Sequence, residues 1–124
     1  MQRMTQQQEA ILRVLEEFGR PVAPQDLLEA ASRRSPGLGL ATVYRALKRL
    51  AAAGEVRKVE VAGLPPHYEC LSEGHHHFFV CENCQRMFDL EGCSAGLKQL
   101  MPPGFRMRSH EIVIYGACRE CAES

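Results

Sequence analysis

The chain has 124 residues, and its 15 basic and 15 acidic side chains give a formal net charge of zero. No stretch approaches the roughly 18 apolar residues of a membrane span, and the N-terminal residues lack the apolar core of a signal peptide, so we expect a cytoplasmic protein with no membrane partner. Residues 1–62 hold ten Lys/Arg and seven Asp/Glu, whereas residues 63–124 hold five and eight. The first half is therefore the one better suited to a polyanion.

Three helices are predicted in the first half. Apolar residues recur at helical spacing from Gln6 to Phe18, with Thr5 as the N-cap and Gly19 as the stop. A second, short helix is predicted over residues 24–31, and a third over residues 40–53. The third helix places its apolar side chains on one stripe and most of its basic side chains off that stripe.

A hairpin is predicted after the third helix. Residues 55–61 alternate in polarity as a strand does, residues 62–66 read as a turn, and residues 67–70 read as a returning strand. Three helices followed by a two-stranded hairpin is the order of a winged helix, with the third helix as the recognition helix that enters the DNA major groove.

The predicted recognition helix carries side chains suited to DNA contacts. Arginine can bond a guanine edge with two donors, and lysine and tyrosine can contact phosphate. We predict DNA contacts from Thr42, Tyr44, Arg45, Lys48 and Arg49, and from Arg57 and Lys58 in the tip region of the hairpin. The alternative is a surface helix with ordinary basic residues.

The second half is predicted to be strands around one short helix. Residues 75–80, 86–90 and 105–115 have strand character, and residues 94–100 form the helix. The expected fold class is α+β, with a winged helix-turn-helix domain over residues 1–62, a hinge over 63–74, and a small αβ dimerisation and metal-binding domain over 75–124.

Two Cys-x-x-Cys pairs, Cys81/Cys84 and Cys118/Cys121, predict a structural zinc site. Each two-residue gap lets both sulfurs turn onto one cation, and four thiolates give a closed tetrahedral site with no open position for catalysis. The alternatives are four buried free thiols or a redox dithiol. The sixth cysteine, Cys93, has no assigned role.

Three consecutive histidines, His75, His76 and His77, predict a second metal position. On a strand, His75 and His77 share one face and His76 takes the other. Cys70 joins these three as a predicted regulatory ligand, and the further candidate ligands are His67, Glu69, Asp89 and His110. The alternatives are a solvated histidine run or a small zinc hydrolase that uses the cluster.

These motifs together resemble the ferric uptake regulator family of bacterial metal-dependent repressors. The resemblance lies in Ala41-Thr-Val-Tyr-Arg, in the three histidines before Cys81-x-x-Cys84, and in His110-Glu-Ile-Val-Ile-Tyr-Gly-Ala before Cys118-x-x-Cys121. It implies a homodimer that binds a palindromic DNA operator when a regulatory metal is bound. It also places Tyr44 and Arg45 on DNA, the four paired cysteines on structural Zn²⁺, Glu69 and His76 on a hinge site, and His75, His77 and His110 on a second site.

Departures from the family pattern favour a zinc sensor, most like the zinc uptake regulator branch. Phe78 stands where many members place a hinge histidine, and Arg20-Pro21-Val22 replaces a histidine common in iron and peroxide sensors. Cys70 lies close to a cysteine ligand of the zinc uptake regulators. We therefore expect Zn²⁺ as the regulatory metal, with Fe²⁺, Mn²⁺ or a peroxide response as the alternatives. Zinc at the hinge is expected to favour the DNA-competent arrangement.

Overall fold

The computed structural model describes residues 5–71, 77–92 and 95–123. His75, His76 and Cys93 lie outside these residues. The chain forms two compact units, Met1–Glu73 and Gly74–Ser124. Within the described part of the chain, no helix combines the length and the apolar character that crossing a membrane requires.

Helix α1 spans Gln6–Phe18, as predicted, because both of its ends are set by local chemistry. The Thr5 hydroxyl accepts a hydrogen bond from the Gln8 backbone N–H at 3.1 Å, and the Gln8 side chain accepts one from the Thr5 N–H at 3.1 Å. This capping box satisfies two N–H groups that the helix leaves unbonded. At the other end, Gly19 takes a φ of 62° and donates its N–H to the Leu15 carbonyl, a conformation that glycine adopts at little cost.

Helices α2 (Pro24–Ser32) and α3 (Leu40–Ala52) pack with α1 around one core. Both extend to within one residue of their predicted ends. Helix α3 buries a single stripe made of Val43, Ala46, Leu47 and Leu50. This stripe fixes the rotation of α3 about its axis, so the opposite side of the helix faces solvent.

Truncating the centre of this core is expected to destabilise the helical unit strongly. Leu47 is fully buried, so Leu47→Ala loses its apolar transfer energy and leaves a cavity. We expect the free energy of unfolding to fall by about 2–5 kcal/mol. Urea unfolding followed by far-UV circular dichroism measures it, and a loss below about 1 kcal/mol would show that Leu47 is not a core residue.

Strands β1 (Val56–Val59) and β2 (His67–Cys70) form an antiparallel hairpin that completes the first unit. Val22 adds an isolated bridge to Tyr68. The prediction that Arg57 and Lys58 occupy the tip of this hairpin is wrong. They lie in the middle of β1, opposite Glu69 and Tyr68, because the turn takes up the residues between the strands, 60–66.

The second unit is built on a three-stranded sheet in the order β4-β3-β5. Strand β3 (His77–Cys81) runs antiparallel to β4 (Met87–Leu90) and parallel to β5 (Val113–Gly116). A short helix, α4 (Arg119–Ala122), follows β5. The two Cys-x-x-Cys pairs therefore sit at the end of β3 and around α4, at the same end of the sheet.

Two predicted elements of the second unit are shorter or of another type. The strand predicted over residues 105–115 is regular only over Val113–Gly116, the segment that pairs in register with Phe78–Cys81 of β3. The helix predicted over residues 94–100 is a 3-10 helix, Ala95–Leu100. Gly96 inside it and two prolines just after it disfavour a longer α-helix.

The boundary between the compact units falls after Glu73. Strand β2 lies within residues 63–74, the segment predicted as a hinge, yet it pairs with β1 along its whole length. It is therefore part of the first unit.

Candidate metal centre and nucleic-acid interface

Four cysteine sulfurs converge at one end of the sheet of the second unit. The Sγ atoms of Cys81, Cys84, Cys118 and Cys121 all lie within 4.8 Å of one another. Zinc–sulfur bonds of about 2.3 Å in a tetrahedron place sulfurs about 3.8 Å apart. The Cys84 and Cys118 sulfurs are 3.8 Å apart, well beyond a disulfide bond. The cluster can hold a zinc ion with all four of its coordination positions filled by protein.

The backbone around the cluster already directs N–H groups at sulfur. Cys81 is fully buried, and its Sγ accepts from the backbone N–H of Cys84 at 3.5 Å and of Cys118 at 3.3 Å. These donors lower the pKa of the Cys81 thiol to about 6. Contacts with the Cys81 and Cys118 sulfurs instead raise the pKa of Cys121 to about 12. Crowded thiolates repel one another, and a divalent cation relieves that repulsion.

Zinc binding to the reduced, metal-free cluster is expected to release protons. Near pH 7, Cys81 is a thiolate but Cys121 keeps its proton, which zinc must displace. The apparent affinity for zinc should therefore rise as the pH rises from about 6 to about 8, by about tenfold per unit for each proton released. Calorimetry in buffers of different ionisation enthalpy counts these protons. An affinity that is constant over this pH range would contradict the assignment of Cys121 as a ligand.

The structure brings His77 and His110 together, as strand alternation suggested. Their ring centroids are 4.9 Å apart, and His77 is buried. The Ile112 backbone N–H donates to His77 Nδ1 at 3.2 Å. A neutral imidazole that accepts at Nδ1 carries its proton on Nε2, so a metal bound at either ring nitrogen requires this hydrogen bond to break.

Glu69 and His67 lie on one face of β2, and both are buried. Glu69 Oε1 accepts from Arg57 Nε at 2.7 Å and also from Arg57 Nη2. His67 Nδ1 is 2.8 Å from the Pro65 carbonyl oxygen. A metal at Glu69 must therefore share this carboxylate with the Arg57 guanidinium. The same ion pair holds Arg57, one of the predicted DNA contacts, against the sheet.

Cys70 is not grouped with Glu69 and His67 by the structure. It follows Glu69 on the strand and so points to the opposite face, where it packs against the helical core. Its Sγ lies 3.9 Å from the Leu12 carbonyl oxygen. Burial raises the pKa of this thiol, which disfavours the thiolate that binds metal. The expectation that Cys70 joins the regulatory ligands finds no geometric support.

Asp89 is also separated from the neighbouring histidine. Asp89 pairs with Phe78 across β3 and β4, whereas His77 pairs with Leu90. Neighbouring pairs along a strand point to opposite faces, so Asp89 and His77 lie on different sides of the sheet. His75 and His76 lie outside the described residues, and their assignments stay predictions.

Helix α3 presents its polar side chains away from the core. Tyr44 is 44% exposed, and Arg45, Lys48 and Arg49 are exposed as well. Thr42 is half-buried and its hydroxyl accepts from Arg45 Nη2 at 3.1 Å. All five side chains predicted to contact DNA from α3 thus lie off the buried stripe.

Arg86 also contacts the cysteine cluster, and the sequence pattern alone does not predict this contact. The Arg86 guanidinium donates to Cys84 Sγ at 3.1 Å and to Glu120 at 2.8 Å. Burial raises the pKa of Cys84, but the hydrogen bond from Arg86 and the backbone outweighs it, and the pKa is lowered. The position of Arg86 two residues after Cys84 was the available signal, but only the fold shows that the side chain turns back onto the sulfurs.

Comparisons with known proteins cover nearly all of this chain. A sequence model of the ferric uptake regulator family matches residues 1–115. The ferric uptake regulation protein of Synechococcus elongatus is 30% identical over 128 residues, which cover 98% of this chain and 87% of that protein. The second cysteine pair lies beyond the matched residues 1–115, so its placement rests on the geometry described above.

Solved structures share the fold. A structure described as a zinc-bound manganese uptake regulator gives a TM-score of 0.81 at 24% identity, over 94% of this chain and 91% of that one. A zinc uptake regulator complexed with zinc and DNA is 28% identical with a TM-score of 0.60, over 98% of this chain and 84% of that one. Together with the family match, these likenesses confirm the α+β fold. The chain belongs to the ferric uptake regulator family, whose members are metal-responsive transcription regulators and not enzymes.

Proposed function

We propose that the protein is a zinc-sensing repressor that binds a palindromic DNA operator as a homodimer and controls zinc uptake genes. The observation that carries the DNA-binding part is the exposed face of α3, where Tyr44, Arg45, Lys48 and Arg49 stand opposite a buried apolar stripe. A helix held in this way can enter a major groove with its polar face toward base edges and phosphates.

The first turn of α1 adds to this positive surface. Thr5, Gln7 and Gln8 line a shallow cleft of about 170 Å³ together with Arg45 and Arg49 of α3. Backbone N–H groups at a helix N-terminus attract anions, and two guanidinium groups strengthen that attraction. In the proposed complex, a DNA phosphate lies over this cleft and fixes the register of α3.

We propose fewer DNA contacts from the hairpin than the sequence pattern predicts. Arg57 is held by Glu69, so it is not among the proposed DNA contacts. Lys58 is about half exposed and pairs with Glu60 at 3.0 Å. An exposed pair of this kind is weak and opens readily, so Lys58 remains a proposed phosphate contact.

The proposed regulatory metal is separate from the four-cysteine cluster. A closed site of four thiolates is structural, and its ion is not expected to exchange with cellular zinc. The regulatory metal is proposed to bind among the three consecutive histidines, His75, His76 and His77. The further candidate ligands are His67, Glu69 and His110. A metal controls DNA binding there by binding the DNA-competent arrangement more tightly than the alternative one.

Zinc is the proposed signal because of its intrinsic affinity for such ligands. With Cys70 facing the helical core, the remaining donors are imidazoles and carboxylates. Zn²⁺ binds these more tightly than Fe²⁺ or Mn²⁺. The same ligand set also accepts Fe²⁺ and Mn²⁺, so the loss of the thiolate makes an iron or manganese response the second candidate.

Selection of DNA by the protein tests this proposal. Protein with its cysteine cluster zinc-filled is incubated with a library of random duplexes in the presence of buffered Zn²⁺, Fe²⁺ or Mn²⁺, and the bound duplexes are sequenced. We expect a two-fold symmetric sequence to be enriched, with zinc effective at the lowest free concentration. Enrichment at lower free Fe²⁺ or Mn²⁺ would replace zinc as the signal, and no enrichment with any metal would overturn the proposal.

Replacing His76 separates the switch from the scaffold. We expect His76→Ala to abolish zinc-dependent binding to the selected duplex while the protein keeps the zinc of its cysteine cluster and its dimeric state. Metal content, sedimentation and DNA-binding titrations measure the three properties. A variant that still responds normally to zinc would remove His76 from the mechanism.

A further inference from the structure

Arg86 contacts both cysteine pairs at once. Its Nε donates to Cys84 Sγ at 3.1 Å, and its Nη2 lies 3.8 Å from Cys118 Sγ. The same Nη2 donates to Glu120 Oε2 at 2.8 Å. One guanidinium therefore joins a sulfur of the first pair, a sulfur of the second pair and a carboxylate on α4.

The charge of the cluster explains why such a contact matters. Four thiolates around one Zn²⁺ leave a net negative charge of about two. Arginine stays protonated at every accessible pH and presents its donors in a rigid planar fork. The Arg86 side chain is only 29% exposed, so solvent screens its charge less than it would screen a surface arginine.

Glu120 completes the arrangement from outside. Its side chain is 76% exposed, so the ion pair with Arg86 is weak by itself. Its geometric effect is to hold Nη2 between α4 and the Cys118 sulfur. Arg86 is thereby kept on the cluster instead of extending into solvent.

We propose that Arg86 is a positioning residue of the cysteine cluster: it holds Cys84 and Cys118 at zinc-binding separation and offsets the charge of the bound thiolates. The inference rests on the cluster holding zinc and does not depend on DNA binding. Two consequences follow. Zinc is retained more tightly, and the zinc-bound thiolates are weaker nucleophiles because donated hydrogen bonds and positive charge withdraw electron density from sulfur.

The test compares three variants of the full chain. Arg86→Met keeps the aliphatic stem and removes charge and donors, Arg86→Lys keeps charge but loses the fork, and Arg119→Met is the matched control. Arg119 is an exposed arginine between Cys118 and Cys121, so its loss changes the net charge near the cluster by the same amount.

Three measurements report on the cluster. Zinc affinity comes from competition with a chromophoric chelator, and the charge-transfer spectrum of the cobalt-substituted protein reports electron density on sulfur. N-ethylmaleimide reports nucleophilicity in the zinc-filled protein: the thiolate electron pair forms a bond to one alkene carbon as the C=C π bond breaks, and water protonates the adjacent carbon and is left as hydroxide. The sulfur becomes a thioether, whose bond to zinc is weak or lost.

We expect Arg86→Met to bind zinc about 10–100-fold more weakly, to react faster with maleimide and to shift the cobalt spectrum. Arg86→Lys should recover part of each change, and Arg119→Met should stay within about twofold of the unmodified protein. Should Arg86→Met fail to fold, Arg86→Lys decides, since weaker zinc binding supports the role of the fork and unchanged binding contradicts it.

Wild-type zinc affinity, reactivity and spectrum in Arg86→Met would overturn the proposal. Equal changes in Arg86→Met and Arg119→Met would also overturn it, because they would reflect net charge alone. If the unmodified chain holds no zinc at the cluster, the inference fails at its premise. That failure is distinct from a protein that holds zinc but binds no DNA.

Discussion

Cys81→Ser is expected to lose the zinc that the cysteine cluster would hold and to unfold the second compact unit, while the helical unit stays folded. Cys81 is fully buried at the end of β3, and its sulfur accepts from two backbone N–H groups. The loss of one thiolate opens the closed site, and the binding energy of a structural zinc is also folding energy.

The small core of the second unit makes this effect large. Among its described residues, the side chains of His77, Val80, Cys81, Met87 and Cys118 are buried, and two of these are cysteines of the cluster. A segment of this size rarely buries enough apolar surface to fold without a metal or a disulfide. The first unit, in contrast, has its own core of helices and hairpin.

Hydrogen exchange read by mass spectrometry, with zinc content per chain, measures this outcome. We expect amides of β3, β4 and β5 to lose protection and those of α1 and α3 to keep it. Cys70→Ala is the matched control because Cys70 lies outside the cluster, and it should retain zinc. A zinc-free Cys81→Ser protein with a fully protected sheet would show that zinc does not hold the second unit together.

We expect Arg45→Ala to weaken binding to the proposed operator by about 5–150-fold without changing thermal stability. Arg45 is exposed on α3, so its removal leaves the core intact. A bidentate arginine contact to a guanine contributes about 1–3 kcal/mol of discrimination. The variant should also become less selective at one base position of each half-site.

Fluorescence anisotropy with the selected duplex and with single-base variants measures both effects. Arg34→Ala is the control, since Arg34 is exposed on the same unit but pairs with Glu17 away from α3, and it should bind like the unmodified protein. Equal affinities of Arg45→Ala and Arg34→Ala for the operator would remove Arg45 from the reading face.

The helical part of the fold could be predicted because its signals are local. Each signal acts within a few residues: the N-terminal cap made by Thr5 and Gln8, the stop at Gly19, and the apolar stripe of α3. The structure has α1 as predicted. The extent of β5 could not be predicted in this way. It is set by the register with β3, a pairing between segments more than thirty residues apart, and alternation alone overextended it.

The candidate site shows the same difference between local signals, which the sequence carries, and contacts between distant segments. The spacing of the paired cysteines predicted which sulfurs meet, because two residues between ligands already favour one cation. Grouping Cys70 with Glu69 conflicts with strand alternation, because neighbours on a strand point to opposite faces. The contact of Arg86 with Cys118 could not be predicted from the sequence, because it depends on how α4 returns to the end of β3.

DNA affinity as a function of free zinc tests the central claim most directly. The protein, with its cysteine cluster already filled, is titrated onto the selected duplex at increasing buffered Zn²⁺, and anisotropy gives Kd at each concentration. If the protein is a zinc-responsive regulator, its affinity for the duplex rises about 5–150-fold as a second zinc per chain binds. A Kd that stays constant while the second zinc binds would contradict the account.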